Sequence, residues 1–291
     1  MHSRTQADRL KAVINRAPAD VIAVTSGKGG VGKTNVATNI AVALGRTHRE
    51  VMLLDADLAL ANVDVLLDLQ PRFNLSHVVN GEVDLDSTVL DGPRGIKIVP
   101  ASSGNISMID LPATARAAVI NAFAGLKAQP EVLVVDTAAG LSADVIPFVT
   151  AANRAIVVVC DEPASITDAY ALIKVLSRNH GVSQFDIVTN QTASEWEGRV
   201  LFAKLRRVAD QYLDVVLRHL GDVPYDPLLR RAVKEQRSVV DAYPQSPAGR
   251  EFMTMARSLI ASRPSVTPTG GLQFFFEQLL DYDCVGLGGA R

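Results

Sequence analysis

Short apolar runs alternate along the chain with longer stretches in which apolar residues recur at helical spacing. The runs occupy residues 21–24, 51–54, 96–99, 132–135, 155–159 and 185–188. Four of them are almost wholly apolar, the pattern of strands covered on both faces by helices. Helical patterns lie between them, around residues 33–46, 113–127, 142–152 and 165–180. The alternation predicts an α/β fold: a doubly wound, mostly parallel sheet with helices on both faces. Beyond Asn190 the helical patterns lengthen and carry Arg199, Lys204, Arg206, Arg207, Arg230, Arg231, Lys234 and Arg237, which read first as a solvated face. Residues 263–271 hold two prolines and two adjacent glycines and predict a linker. After them Leu272, Phe275, Phe276, Leu279 and Leu280 fall on one face of a helix. The expected organisation is an N-terminal segment (1–19), a body (20–262), a linker (263–271) and an amphipathic tail (272–291).

Composition narrows the class. The chain has 291 residues, 48% hydrophobic and 21% charged, enough for a sizeable core and too apolar for disorder. No run approaches the ~18 apolar residues of a membrane-spanning helix. The net charge of −2 counts against a surface that coats nucleic acid, while leaving room for a local basic patch. Cys160 and Cys284 supply neither a disulfide framework nor a zinc spacing. The first residues, MHSRTQADRLKAV, lack the apolar centre of a signal peptide. A cytoplasmic protein is expected.

The chemistry begins at Gly27-Lys28-Gly29-Gly30-Val31-Gly32-Lys33-Thr34, a full match to the P-loop pattern. It follows an apolar strand and opens a helix at Asn35, the context that gives the pattern meaning. Glycines let successive backbone N–H groups turn toward phosphate oxygens, and the helix N-terminus adds partial positive charge. Lys33 can reach the outer phosphates, and the Thr34 hydroxyl can ligate Mg²⁺. Gly27 through Asn35 are therefore read as a nucleotide site. Asp136 ends one apolar run and Asp55 and Asp57 end another, at the carboxyl edge where α/β proteins place their ligands. Such positions suit the acids that hold magnesium beside a nucleotide.

Lys28, the second lysine of KGGVGKT, resembles the signature of the deviant Walker A ATPases that include MinD and ParA. The stretches Asp55-Ala56-Asp57-Leu58-Ala59-Leu60-Ala61-Asn62-Val63-Asp64, Gly95-Ile96-Lys97-Ile98-Val99-Pro100-Ala101 and Glu162-Pro163-Ala164-Ser165-Ile166-Thr167-Asp168-Ala169-Tyr170 resemble the FlhG/FleN branch, whose members regulate flagellar number and placement. The resemblance runs from about residue 20 to 262. It implies a homodimer closed around ATP, in which Lys28 reaches the phosphates bound by the other subunit. It further implies that Thr34, Asp55 and Asp136 support Mg²⁺, that Asp57 orients the attacking water, and that Asn190 with Pro224, Tyr225 and Asp226 frames the adenine. Ala138 stands where the family usually has glycine. The expected activity is slow, regulatory ATP hydrolysis gated by dimerisation.

The two ends suggest partners. Thr5-Gln6-Ala7-Asp8-Arg9-Leu10-Lys11 resembles the DQAxxLR motif of FlhG proteins, which implies an FlhF-type GTPase partner through Gln6, Ala7 and Leu10. Thr5 replaces the acid, and Lys11 replaces an arginine whose planar fork lysine cannot reproduce. The same branch implies a FleQ-type transcription activator as a second partner. The tail from Leu272 to Tyr282 has three possible seats: a membrane surface, a partner, or the protein's own body. It carries Glu277 and Asp281 and no basic residue, unlike segments attracted to anionic lipid. Two other functions stay open: a ParA-like DNA-segregation ATPase, favoured by the basic helices, and a MinD-like division-site regulator.

Overall fold

The computed structural model describes residues 19–57, 62–101, 113–142, 144–262 and 272–280. Among them, eight strands form one sheet: β1 (Asp20–Thr25), β2 (Val51–Ala56), β3 (Leu90–Asp91), β4 (Lys97–Val99), β5 (Val132–Thr137), β6 (Arg154–Cys160), β7 (Gln184–Thr192) and β8 (Val216–Pro224). Their order is β3-β4-β2-β5-β1-β6-β7-β8, and only the β3–β4 pair is antiparallel. The apolar runs are the central strands. Val21–Val24, Leu53, Leu54, Leu133–Val135 and Ile156–Val159 are almost entirely buried, because helices cover both faces.

On one face lie α1 (Lys33–Gly45), α2 (Val63–Leu66), α8 (Pro227–Lys234), α9 (Val239–Ala242) and α10 (Pro247–Ala261), packed over Ile22, Val24, Leu53 and Val134. The other face carries α3 (Leu75–Val79), α4 (Ala113–Ala124), α5 (Val145–Ala151), α6 (Pro163–His180) and α7 (Glu195–Tyr212). No helix among the described residues is long and apolar enough to cross a membrane.

Two strands lie outside the apolar runs. β8 reads VLRHLGDVP because it is an edge strand, paired on one side to β7. Its Arg218 makes a two-pronged ion pair with the buried Asp186 of β7, at 2.7 and 2.9 Å. β3 has only two residues, too few to leave a period.

The tail forms α11 (Leu272–Leu280), which packs on α4 and α5. Leu272, Phe275, Phe276, Leu279 and Leu280 are all buried in the core cluster that holds Phe123 and Phe148. The Phe276 ring stacks on that of Phe123 with centroids 3.7 Å apart. Of the three seats open to this amphipathic face, the structure fills the one on the body.

Arg154, the first residue of β6, fastens the far end of the sheet. It is one of the largest fully buried side chains. Its Nε bonds Asp20 at 3.0 Å, and its two terminal nitrogens reach the Ser262 hydroxyl and the carbonyls of Leu259 and Ser262. One guanidinium thus ties β1, β6 and the end of α10 together, using the fork geometry that lysine lacks.

Candidate nucleotide site

The parallel strands bring their carboxyl ends to one edge, and the P-loop leaves β1 there. Val24 is in register with Asp136 on β5, and Asp136 is in register with Asp55 on β2. On the other side Cys160 of β6 pairs with Asn190 of β7. Residues far apart in sequence therefore meet because each ends a strand of the same sheet.

The loop is fixed from several directions. Gly140 donates its N–H to the Ser26 carbonyl, and the Ser26 hydroxyl donates to the Lys28 carbonyl at 2.9 Å. The side-chain amide of Asn190 donates to the Val31 carbonyl at 2.7 Å. A Cβ at Gly27 would lie 2.2–2.4 Å from the backbone of Asp168 and Ala169 in α6, so the close approach of that helix excludes any other residue. Gly32 has φ +87°, and a Cβ there would fall 2.4 Å from the Asn190 amide nitrogen. α1 starts immediately after Gly32 with no side-chain cap and no acid in its first turn. Its N–H groups and partial positive charge are left for an anion.

The two lysines occupy different surroundings. Lys33 is buried, with Nζ 2.6 Å from Asp136 Oδ1. Lys28 lies at the surface, with Nζ 2.6 Å from Oε2 of Glu162, the residue that precedes α6. The hydrogen bond to Glu162, followed by its charge, raises the Lys28 pKa. Burial pushes Asp136 above the usual carboxylate range, and Lys33 and the Thr34 hydroxyl pull it back. Asp136 Oδ2 has no hydrogen-bond partner. Asp55 is pushed up to about 7, first by burial and then by the charge of Asp136, against the backbone N–H groups it accepts from.

The residues expected to frame the adenine also lie at this edge, in varied surroundings. Asn190 is buried; its Oδ1 has no partner while its amide holds Val31. Gln191 follows with φ +60°, at a bulge in the β7–β8 pairing. Tyr225 is 57% exposed, and its hydroxyl accepts from Arg230. Asp226 is buried, and both its oxygens accept backbone N–H groups, from Leu228 and Ala248. Asp226 thus frames the edge by capping α8 and anchoring α10. Pro224 ends β8 beside Thr192.

The pattern of the ParA family, described as the NUBPL iron-transfer P-loop NTPase, matches residues 18–260. The antiactivator FleN of Pseudomonas aeruginosa is 49% identical over 95% of this chain and 99% of its own length. The chain is a ParA-family P-loop ATPase of the FleN/FlhG branch. The flagellum site-determining protein YlxH of Helicobacter pylori is 31% identical over 92% of each chain. The septum site-determining protein MinD of Pyrococcus horikoshii, solved with Mg-ADP, superposes with a TM-score of 0.65 at 25% identity, covering 83% of this chain and 96% of MinD.

In this FleN/FlhG-type ATPase the fold brings to one edge the P-loop, the strand-end acids Asp55, Asp57 and Asp136, and Asn190. Motif reading did not single out Glu162 as Lys28's ion partner. A glutamate ahead of Pro163 reads only as a helix start, and the pairing spans 134 residues of sequence. Gln6, Ala7 and Leu10 lie outside the described residues.

Proposed function

We propose that this protein is an ATP-dependent dimerising switch that regulates flagellar number and placement, with hydrolysis gated by dimerisation. The observation that carries this reading is the separation of the two P-loop lysines. Lys33 is buried within its own site on Asp136, whereas Lys28 is held at the surface by Glu162, available to another subunit. The names of the relatives supply the biological setting: an antiactivator and a flagellum site-determining protein. On this reading the partners are a FleQ-type transcription activator and, through Gln6, Ala7 and Leu10, an FlhF-type GTPase.

The residues fit Mg²⁺-ATP. The uncapped start of α1 suits phosphate, and the unpartnered Oδ2 of Asp136 beside Thr34 suits a hard cation. Thr34 and Asp136 would hold Mg²⁺, the latter through water; Asp55, which the resemblance adds to this set, has three of its four lone pairs committed to backbone N–H groups. The ion, when bound, neutralises phosphate charge. On binding, Lys33 exchanges Asp136 for the outer phosphates. The unpartnered Oδ1 of Asn190 can accept from the adenine amino group, and its amide has a second hydrogen beyond the one given to Val31. Asp57 orients the attacking water. Lys28 of the partner subunit supplies positive charge to the transferring phosphoryl group, as an arginine finger does.

The test is the solution mass of the Asp57→Ala protein with ATP·Mg²⁺ and with ADP. A dimer with ATP alone is the expected result; a monomer in both would defeat the switch. The Lys28–Glu162 pair sets a threshold in the same equilibrium. Glu162→Gln frees Lys28 from an exposed ion pair and is expected to tighten ATP-dependent dimerisation about two- to fivefold. Sedimentation at graded protein concentrations measures this, and an unchanged or weaker dimer would remove Glu162 from the switch.

The DNA-coating alternative loses part of its footing. Arg199, Arg206, Arg231 and Arg237 are each paired four residues along the chain, with Glu195, Asp210, Glu235 and Asp241, and Lys204 pairs with Asp161. Attachment to a membrane surface through residues 272–282 would require α11 to leave its seat on α4 and α5.

A further inference from the structure

We infer that Asp55 acts chiefly as a positioning residue, one that clamps the segment carrying Asp57; the inference rests on the proposed role of Asp57 in orienting water. The geometry is specific. Asp55 is buried at the end of β2, 1% exposed. Its Oδ1 accepts the N–H of Asp57 at 3.1 Å. Its Oδ2 accepts the N–H of Asn62 at 3.1 Å and of Val63 at 3.2 Å. A single carboxylate therefore grips the backbone on both sides of positions 58–61, on the near side at Asp57 and on the far side at the start of α2.

The hydrogen-bond capacity of a carboxylate makes this a choice between roles. Each oxygen offers two lone pairs. Both of those on Oδ2 are used by Asn62 and Val63, and one of those on Oδ1 by Asp57. Asp136, the other acid at this register, has the opposite arrangement, with Oδ2 unpartnered. The acid open to a metal or its water is Asp136, and the acid already committed to backbone is Asp55. A second contact secures the far side: the Gln236 amide donates to the Val65 carbonyl at 2.8 Å, from a residue held at φ +52°. With both ends tied down, the Asp57 backbone is fixed relative to β2 and hence to the P-loop two strands away.

Asparagine at position 55 keeps the shape but leaves one carbonyl acceptor and turns an NH₂ group toward backbone N–H donors. The experiment compares the full-length wild type, Asp55→Asn and Asp136→Asn. It measures ATP turnover against Mg²⁺ concentration, and amide hydrogen exchange without nucleotide. Asp55→Asn is expected to lower kcat at least about tenfold, with the half-saturating Mg²⁺ concentration within about twofold of wild type. The amides of Asp57, Asn62 and Val63, slow in the wild type, should exchange faster in it. Asp136→Asn is expected to move the Mg²⁺ midpoint. If Asp55→Asn instead moves that midpoint and added Mg²⁺ restores the rate, Asp55 is a metal ligand and the inference falls. A kcat within about twofold of wild type overturns it too. Should Asp55→Asn not fold, the wild type alone decides: slow exchange at all three amides supports the clamp, and fast exchange refutes it. Because that measurement needs no nucleotide, it stands even if the wild type shows no ATPase and the proposed switch fails.

Discussion

Lys28→Ala lowers steady-state ATP hydrolysis by ~10³- to 10⁵-fold, the range in which a cross-subunit cation acts in phosphoryl transfer. ATP binding persists in this variant. Lys33, Thr34 and the start of α1 form the phosphate bed, and Lys28 sits outside it on Glu162. The expected signature is retained binding of a fluorescent ATP analogue, loss of the ATP-dependent dimer and loss of turnover. Lys33→Ala differs in losing binding itself, so the pair of variants separates the two lysines. Hydrolysis by Lys28→Ala within about tenfold of wild type would sink the cross-subunit mechanism. The Asp57→Ala dimer would then need another explanation.

Arg154→Ala lowers folding stability by about 3 kcal/mol, the lower end of the loss on breaking a buried ion pair. The lower end applies because Asp20 keeps 23% of its side chain exposed, although Arg154 keeps only 1%. Two further acceptors, the carbonyls of Leu259 and Ser262, lose their donor in the variant. The loss should depend on pH in a definite direction. Burial already raises Asp20 above the ordinary aspartate value of 3.8, even with Arg154 opposing. The fold therefore favours the protonated acid. That contribution is complete below the unfolded value and is lost as pH rises through the folded one. Without Arg154 the folded value rises further, so the destabilisation is smaller in acid and grows toward neutral pH. Urea unfolding at two pH values measures both size and slope, and a loss below about 1 kcal/mol at neutral pH would remove Arg154 as the fastener.

What the sequence made legible follows from where signals are local. The central strands announce themselves because burial on both faces demands unbroken apolar runs, as in Val132 to Val135. The P-loop announces itself because Gly27 and Gly32 answer constraints that no other residue meets. β8 hides because its polar residues are satisfied across the strand, Arg218 by Asp186 and Asp222 by the Thr189 hydroxyl. Those pairs join residues more than thirty positions apart. Arg154 hides for a related reason: a single arginine before an apolar run resembles a surface charge until Asp20 and Ser262 are brought to it. Asp226 follows the last strand in sequence, but its two backbone partners are visible only with α8 and α10 packed. The tail's apolar stripe was legible as a stripe, while its seat depended on Phe123 being in reach.

The bond from Asn190 to the Val31 carbonyl has a consequence for nucleobase selectivity. On the proposed reading, one amide both reads the adenine and braces the loop that holds the phosphates. Guanine presents a carbonyl where adenine presents its amino group, so accepting it would require this side chain to turn over. Turning it would release Val31. Base choice and phosphate geometry are therefore locked to one rotamer, and a change of nucleotide preference cannot evolve at position 190 without a second change that restores the brace.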